Sequence, residues 1–126
     1  MPNKCLQPMY LYYAAHFFYG FAYYIIGPLI PFLSAYSSKP EEYFFPLIFG
    51  RGVGFLFGPF LKMFALSNFT KLHKGTFVLV LILGLNMVLT SLTYNIVILT
   101  IISFVNGGCC AVLDIFVNVS IINEGK

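Results

Sequence analysis

The chain has 126 residues, of which 60% are hydrophobic, 19% aromatic and 9% charged, with a formal net charge of +3. A soluble globular domain carries roughly 25% charged residues, so at a mean hydropathy of +0.89 there is too little polar surface to keep this chain in water. The composition excludes a water-soluble globule, and the few basic residues form no stripe that would bind nucleic acid.

The hydrocarbon core of a bilayer is about 30 Å thick and a helix rises about 1.5 Å per residue, so roughly 20 apolar residues cross it. Four segments qualify, at residues 11–33, 43–66, 76–94 and 95–122. They predict an all-α fold, a multi-pass membrane helical bundle with four transmembrane helices, in a single membrane domain over residues 1–126 with the lipid bilayer as its first partner.

The first segment runs 23 residues without Asp, Glu, Lys or Arg. Lys4 ahead of it gives it the look of a secretory signal. An apolar signal core spans only about 7–15 residues and is followed by a small-residue cleavage site, which is missing here, so a retained helix is expected. Tyr12, His16, Tyr19 and Tyr23 recur at steps of four, three and four and share one helix stripe, with Tyr13 and Tyr24 beside it. Tyrosine rings offer flat apolar faces to a sugar or similar solute and hydroxyls to hydrogen-bond it, and His16 would add a proton-responsive group. A second reading assigns Tyr12 and Tyr13 to an interfacial aromatic belt and the rest to packing. Gly27, Pro28 and Pro31 close this span, Pro46 opens the next and Pro59 sits in its middle. Each proline removes a backbone donor and is a candidate kink.

In the second segment Gly50, Gly54 and Gly58 fall four apart and form one face without side chains, where a neighbouring backbone can approach closely. Static bundle packing and a smooth track for a sliding partner helix both fit this face. Arg51 lies eight residues past Tyr43, about 12 Å below the outer surface. A charge at a helix centre costs about 2.5–3.5 kcal/mol on insertion scales, which makes Arg51 a candidate solute contact facing the protein interior; snorkelling to the outer interface is the alternative.

The connection at 34–42 sets Lys39 against Glu41 and Glu42, whereas the connection at 67–75 carries Lys71, His73 and Lys74 with no acid. The positive-inside rule puts the second connection in the cytoplasm, and both termini with it, including Lys4 and Lys126. Asn68-Phe69-Thr70 matches a glycosylation acceptor, expected here to face the cytoplasm and stay unmodified.

The third segment carries no charge and the fourth only Asp114. Lys62 and Asp114 each lie about twenty residues down a descending span, so they form a candidate ion pair, whereas Arg51 differs from Asp114 by roughly 15 Å in depth and is a poor partner. Asn118 follows Asp114 by four and shares its face, giving a polar site for a cation or solute, a cytoplasmic latch, or a polar cluster that fixes helix register. Cys5, Cys109 and Cys110 are odd in number and lack ligand spacing, so neither a disulfide framework nor a metal site is expected. The absence of a Ser–His–Asp set, an HExxH motif or a phosphate loop predicts no enzyme and no cofactor.

Several of these features resemble a known family. Gly27-Pro28-Leu29-Ile30-Pro31-Phe32-Leu33, Gly50-Arg51-Gly52-Val53-Gly54 with Gly58, the basic connection up to Gly75, and Asn106-Gly107-Gly108 leading to Asp114 and Asn118 resemble the N-terminal third of a major facilitator superfamily transporter. The similarity is greatest to its sodium-dependent glucose transporter branch, whose fourth helix has a glycine-rich start followed by an Asp and an Asn at this spacing. Lys62, Met63 and Ser67 stand where the superfamily usually has small residues and an Asp. The resemblance implies a partial major facilitator fold, a small polar and sugar-like solute, Na⁺ or H⁺ as coupling ion, and His16, Tyr19, Tyr23, Arg51, Asp114 and Asn118 as solute contacts. The family has twelve helices in two six-helix halves built of three-helix repeats, so the chain corresponds to a fragment that needs the remaining helices of a longer transporter. The other reading is a small non-transporting four-helix subunit that packs against partner membrane proteins through the Gly50, Gly54 and Gly58 face.

Overall fold

The computed structural model describes residues 3–68 and 72–124, with side chains at 10–64 and 74–122. Phe69, Thr70, Lys71 and Lys126 lie outside the described residues, and with them part of the acceptor sequence and of the basic connection. The fold is all-α. Helices α1 (Asn3–Tyr24) and α2 (Ile26–Ser37) make the first rod, a 3₁₀ turn (Glu41–Phe44) leads into α3 (Phe45–Asn68), and α4 (Leu72–Leu92) and α5 (Ile96–Glu124) follow. Among the described residues four stretches are long and apolar enough to cross a membrane: Tyr10–Ser37, Glu41–Phe64, Lys74–Leu92 and Ile96–Ile122. The chain is an integral multi-pass membrane protein.

The first rod lapses only at Ile25. Pro28 has no N–H to offer the Tyr24 carbonyl, while the bonds on either side survive, Ile25 to Phe21 at 3.1 Å and Leu29 to Ile25 at 3.2 Å. Pro31 and Pro59 sit inside α2 and α3, which run on through them. The rod reaches Ser37 and stops because Ser38 turns left-handed, with φ of 54°, and donates its N–H to the Ser34 carbonyl. At the other connection the Asn95 side chain accepts the Val97 N–H at 3.0 Å, so Asn95 caps α5. Hydroxyls within the spans bond the carbonyl one turn back, as Thr90 does to Asn86, Thr100 to Ile96 and Ser120 to Phe116. Where no water can reach, this is the local way to satisfy them.

Helix α5 is the axis of the bundle. Of its most apolar stretch 56% is buried, against 22–33% in the other three spans, whose outward rows of Phe and Leu suit a lipid solvent. Its contact with α3 is made by glycine. A Cβ at Gly50 would lie 3.0 Å from Thr100, one at Gly54 would fall on the Phe104 carbonyl, and one at Gly58 on Ala111. Numbers rise together along both helices, so α3 and α5 run parallel. Gly107 answers from α5, where a Cβ would strike the Arg51 carbonyl. Two side-chain cores flank this seam. One holds Ile26, Ile30, Leu33, Phe44, Leu47 and Leu99; the other holds Tyr12, Ala15, Leu83, Cys110, Leu113 and Val117.

Candidate functional site

Arg51 sits on the tight seam, and its side chain leaves the seam toward α1. It is buried, with 6% of its surface exposed. Its Nη2 donates to the Ala22 carbonyl at 3.1 Å, and its guanidinium lies 4.3 Å from the centre of the Tyr23 ring. A desolvated cation over an aromatic face is worth about 2 kcal/mol. The same nitrogen lies 3.8 Å from Cys110 Sγ, which donates to Asn106 Oδ1 at 3.7 Å. Nε and Nη1 of Arg51 are buried without a hydrogen-bond partner. The charge therefore turns inward and does not snorkel to the outer interface.

Tyr23 packs against Tyr19, with ring centres 6.0 Å apart, and edge-on against Phe55 at 6.2 Å. Tyr19 lies within electrostatic reach of Asp114, Cys110, Tyr23 and Arg51. The structure thus brings Tyr19, Tyr23, Arg51 and Cys110 together from α1, α3 and α5. A buried cation with unused donors, walled by phenol rings, can receive a group that brings acceptors.

Other residues singled out in the sequence go elsewhere. His16 touches the Tyr19 ring at 5.3 Å but is exposed, and it lines an outward hollow of about 490 Å³ with Phe17, Gly20 and Tyr24. Tyr12 is 2% exposed and belongs to the core, so it is no part of an interfacial belt. Lys62 and Asp114 are both half-buried, yet among the described residues no ion pair joins them. The physical reason is direction: Asp114 lies one turn beyond Cys110 on the side of α5 that meets α1, in the field of Tyr19. Asn118 is exposed, and among the described residues no hydrogen bond ties it to Asp114. The glycine face of α3 is covered by α5.

Cys110 takes part in the site although the number and spacing of the cysteines pointed to no role for it. The signal that finds it is a polar row on α5: Ser103, Asn106, Cys110 and Asp114 follow at steps of three, four and four, and the first three are 2%, 1% and 0% exposed. On α4, Asn86 is buried as well, with Nδ2 unpartnered.

Fold and site define a class, a four-helix multi-pass membrane protein with a buried cation near its axis. No family model, curated protein or solved structure matches the chain.

Proposed function

We propose that the chain works in membrane transport, as the N-terminal part of a major facilitator-type secondary transporter that moves a small polar solute, sugar-like in size, with Na⁺ or H⁺ as coupling ion. In this reading residues 1–126 are one membrane domain with both termini in the cytoplasm, and no covalent chemistry is catalysed. The observation that carries it is the meeting of Arg51 from α3 with Tyr19 and Tyr23 from α1 inside the bundle. Ionisable groups within spans are costly and mark solute or ion paths. The parallel glycine seam supports the same reading, since smooth backbone faces allow small rocking motions between helices.

The reading as a packing subunit relied on the Gly50, Gly54 and Gly58 face as its interface, and α5 occupies that face. Transcript sequencing through the codon for Lys126 tests the choice. The frame is expected to continue through about eight further apolar spans, and cells expressing the long frame are expected to accumulate labelled solute. A stop codon directly after Lys126, with membrane proteins co-purifying in fixed ratio, overturns the proposal in favour of the subunit.

A further inference from the structure

Among the described residues, every buried side-chain atom without a hydrogen-bond partner is a donor: Nε and Nη1 of Arg51 and Nδ2 of Asn86. Buried polar groups are nearly always paired. A surplus of donors alone calls for a ligand that brings acceptors, because an arginine has none of its own. Arg51 is more than nine-tenths buried and has no ion-pair partner among the described residues. Asp114 supplies the nearest opposite charge along α5, and it lies one turn beyond Cys110, in the field of Tyr19.

Tyr23 explains how such a charge stays covered. Its ring faces the guanidinium at 4.3 Å while 38% of its own surface remains exposed, so it stands between the cation and the outside. An aromatic face is a weaker partner for a guanidinium than an oxyanion in a dry site. We propose that Arg51 binds the carboxylate of a small organic anion, and that Tyr23 is the exchangeable cover which leaves the guanidinium when the carboxylate arrives. This rests on the transport reading and makes its solute an acidic one. A carboxylate brings acceptor oxygens to a guanidinium whose Nε and Nη1 lack partners, and a single charge to the single uncompensated cation. A phosphate dianion would bring more negative charge than that one cation balances.

The test uses the whole purified chain in lipid nanodiscs. With no Trp and nine Tyr, its emission reports on tyrosine alone. Gluconate is expected to change that emission saturably, while glucose at equal concentration does not. Arg51→Met should weaken gluconate binding by about tenfold or more, the scale of one charged hydrogen bond, and Arg51→Lys should keep part of it. Tyr23→Leu removes the competing ring and should tighten binding by about threefold, since the open site is then populated without displacement. A merely structural Tyr23 would give no gain, which also covers the case in which Arg51→Met fails to fold. Gluconate binding unchanged in Arg51→Met, or no gluconate response at all, overturns the proposal. Phosphate displacing gluconate at lower concentration overturns the carboxylate assignment. Glucose binding that survives Arg51→Met overturns the anion and leaves transport standing, whereas a stop codon after Lys126 with gluconate bound does the reverse.

Discussion

The α3–α5 seam and the α1–α4 flank are both built from strongly apolar spans, yet they pack in opposite ways. Along the seam, backbone meets backbone: a Cβ at Gly54 would fall on the Phe104 carbonyl, and one at Gly107 on that of Arg51. Along the flank, large side chains hold the helices apart and leave hollows, about 150 Å³ beside Phe18, Ala22, Val80 and Leu83 and about 190 Å³ beside Leu11, Tyr12, Ala15 and Phe77. Gly84, on α4, has nothing within 4 Å of the place its Cβ would take. In lipid, burying a Leu against another helix gains little, because the acyl chains are as apolar as the helix. Dense van der Waals contact and internal hydrogen bonds decide association instead. Small residues therefore act as the adhesive and large ones as spacers. Arg51 belongs to both regions, its backbone fixed in the seam and its side chain reaching into the looser α1 side.

The sharpest way to break this comparison is to put the same side chain into both regions. Gly54→Leu must push α3 away from Phe104 and is expected to cost about 3 kcal/mol, at the upper end of the usual range for overpacking. Gly84→Leu enters open space and should change stability by less than about 0.5 kcal/mol. Unfolding by SDS titration, followed by circular dichroism, measures both; equal losses would erase the distinction between seam and flank. A smaller and opposite effect is expected on α4. Asn86→Leu deletes a buried donor without a partner, so stability should rise by about 1 kcal/mol in the same titration. A fall of that size would mean that the amide holds the flank together.

The spans were legible because a run of twenty apolar residues is a one-dimensional signal. The glycine face was legible from its four-residue spacing, but the helix that covers it was not. That requires the register of Thr100, Phe104, Gly107 and Ala111 on a helix fifty residues away. Arg51 shows a second limit. Counting its Cα depth left out the length and direction of its side chain, which carries the guanidinium across to Cys110 on α5. The tyrosine stripe shows a third. At about 100° per residue, Tyr12, His16, Tyr19 and Tyr23 cluster on one side of α1, but His16 leads Tyr12 by roughly 40°. On a helix that buries only a narrow strip, that angle is enough to carry His16 over the edge while Tyr12 stays in the core.

A third kind of contact, between the first rod and the α4–α5 connection, sharpens the comparison further because it uses neither glycine nor a buried core. Tyr36 at the end of α2 stacks on Tyr94 in the α4–α5 connection, with ring centres 5.2 Å apart and planes 16° from parallel. A hydrogen bond with Tyr36 pushes the Tyr94 hydroxyl above its ordinary value of 10.0. A bond that raises an acid favours its neutral form, so the folded state holds that proton more firmly than the unfolded chain does. The stabilisation is therefore complete below about pH 10, the unfolded value, and is lost as pH rises through the higher folded value. Tyr36→Phe keeps the stack and removes the hydroxyl, so Tyr94 should ionise at lower pH, seen as earlier growth of tyrosinate absorbance in an alkaline titration. Near neutral pH the same variant should leave the SDS unfolding midpoint almost unchanged, because Tyr94 is exposed and water replaces the lost partner. A midpoint that instead fell as far as that of Gly54→Leu would place the strength of the fold in this exposed stack of rings and take it away from the glycine seam.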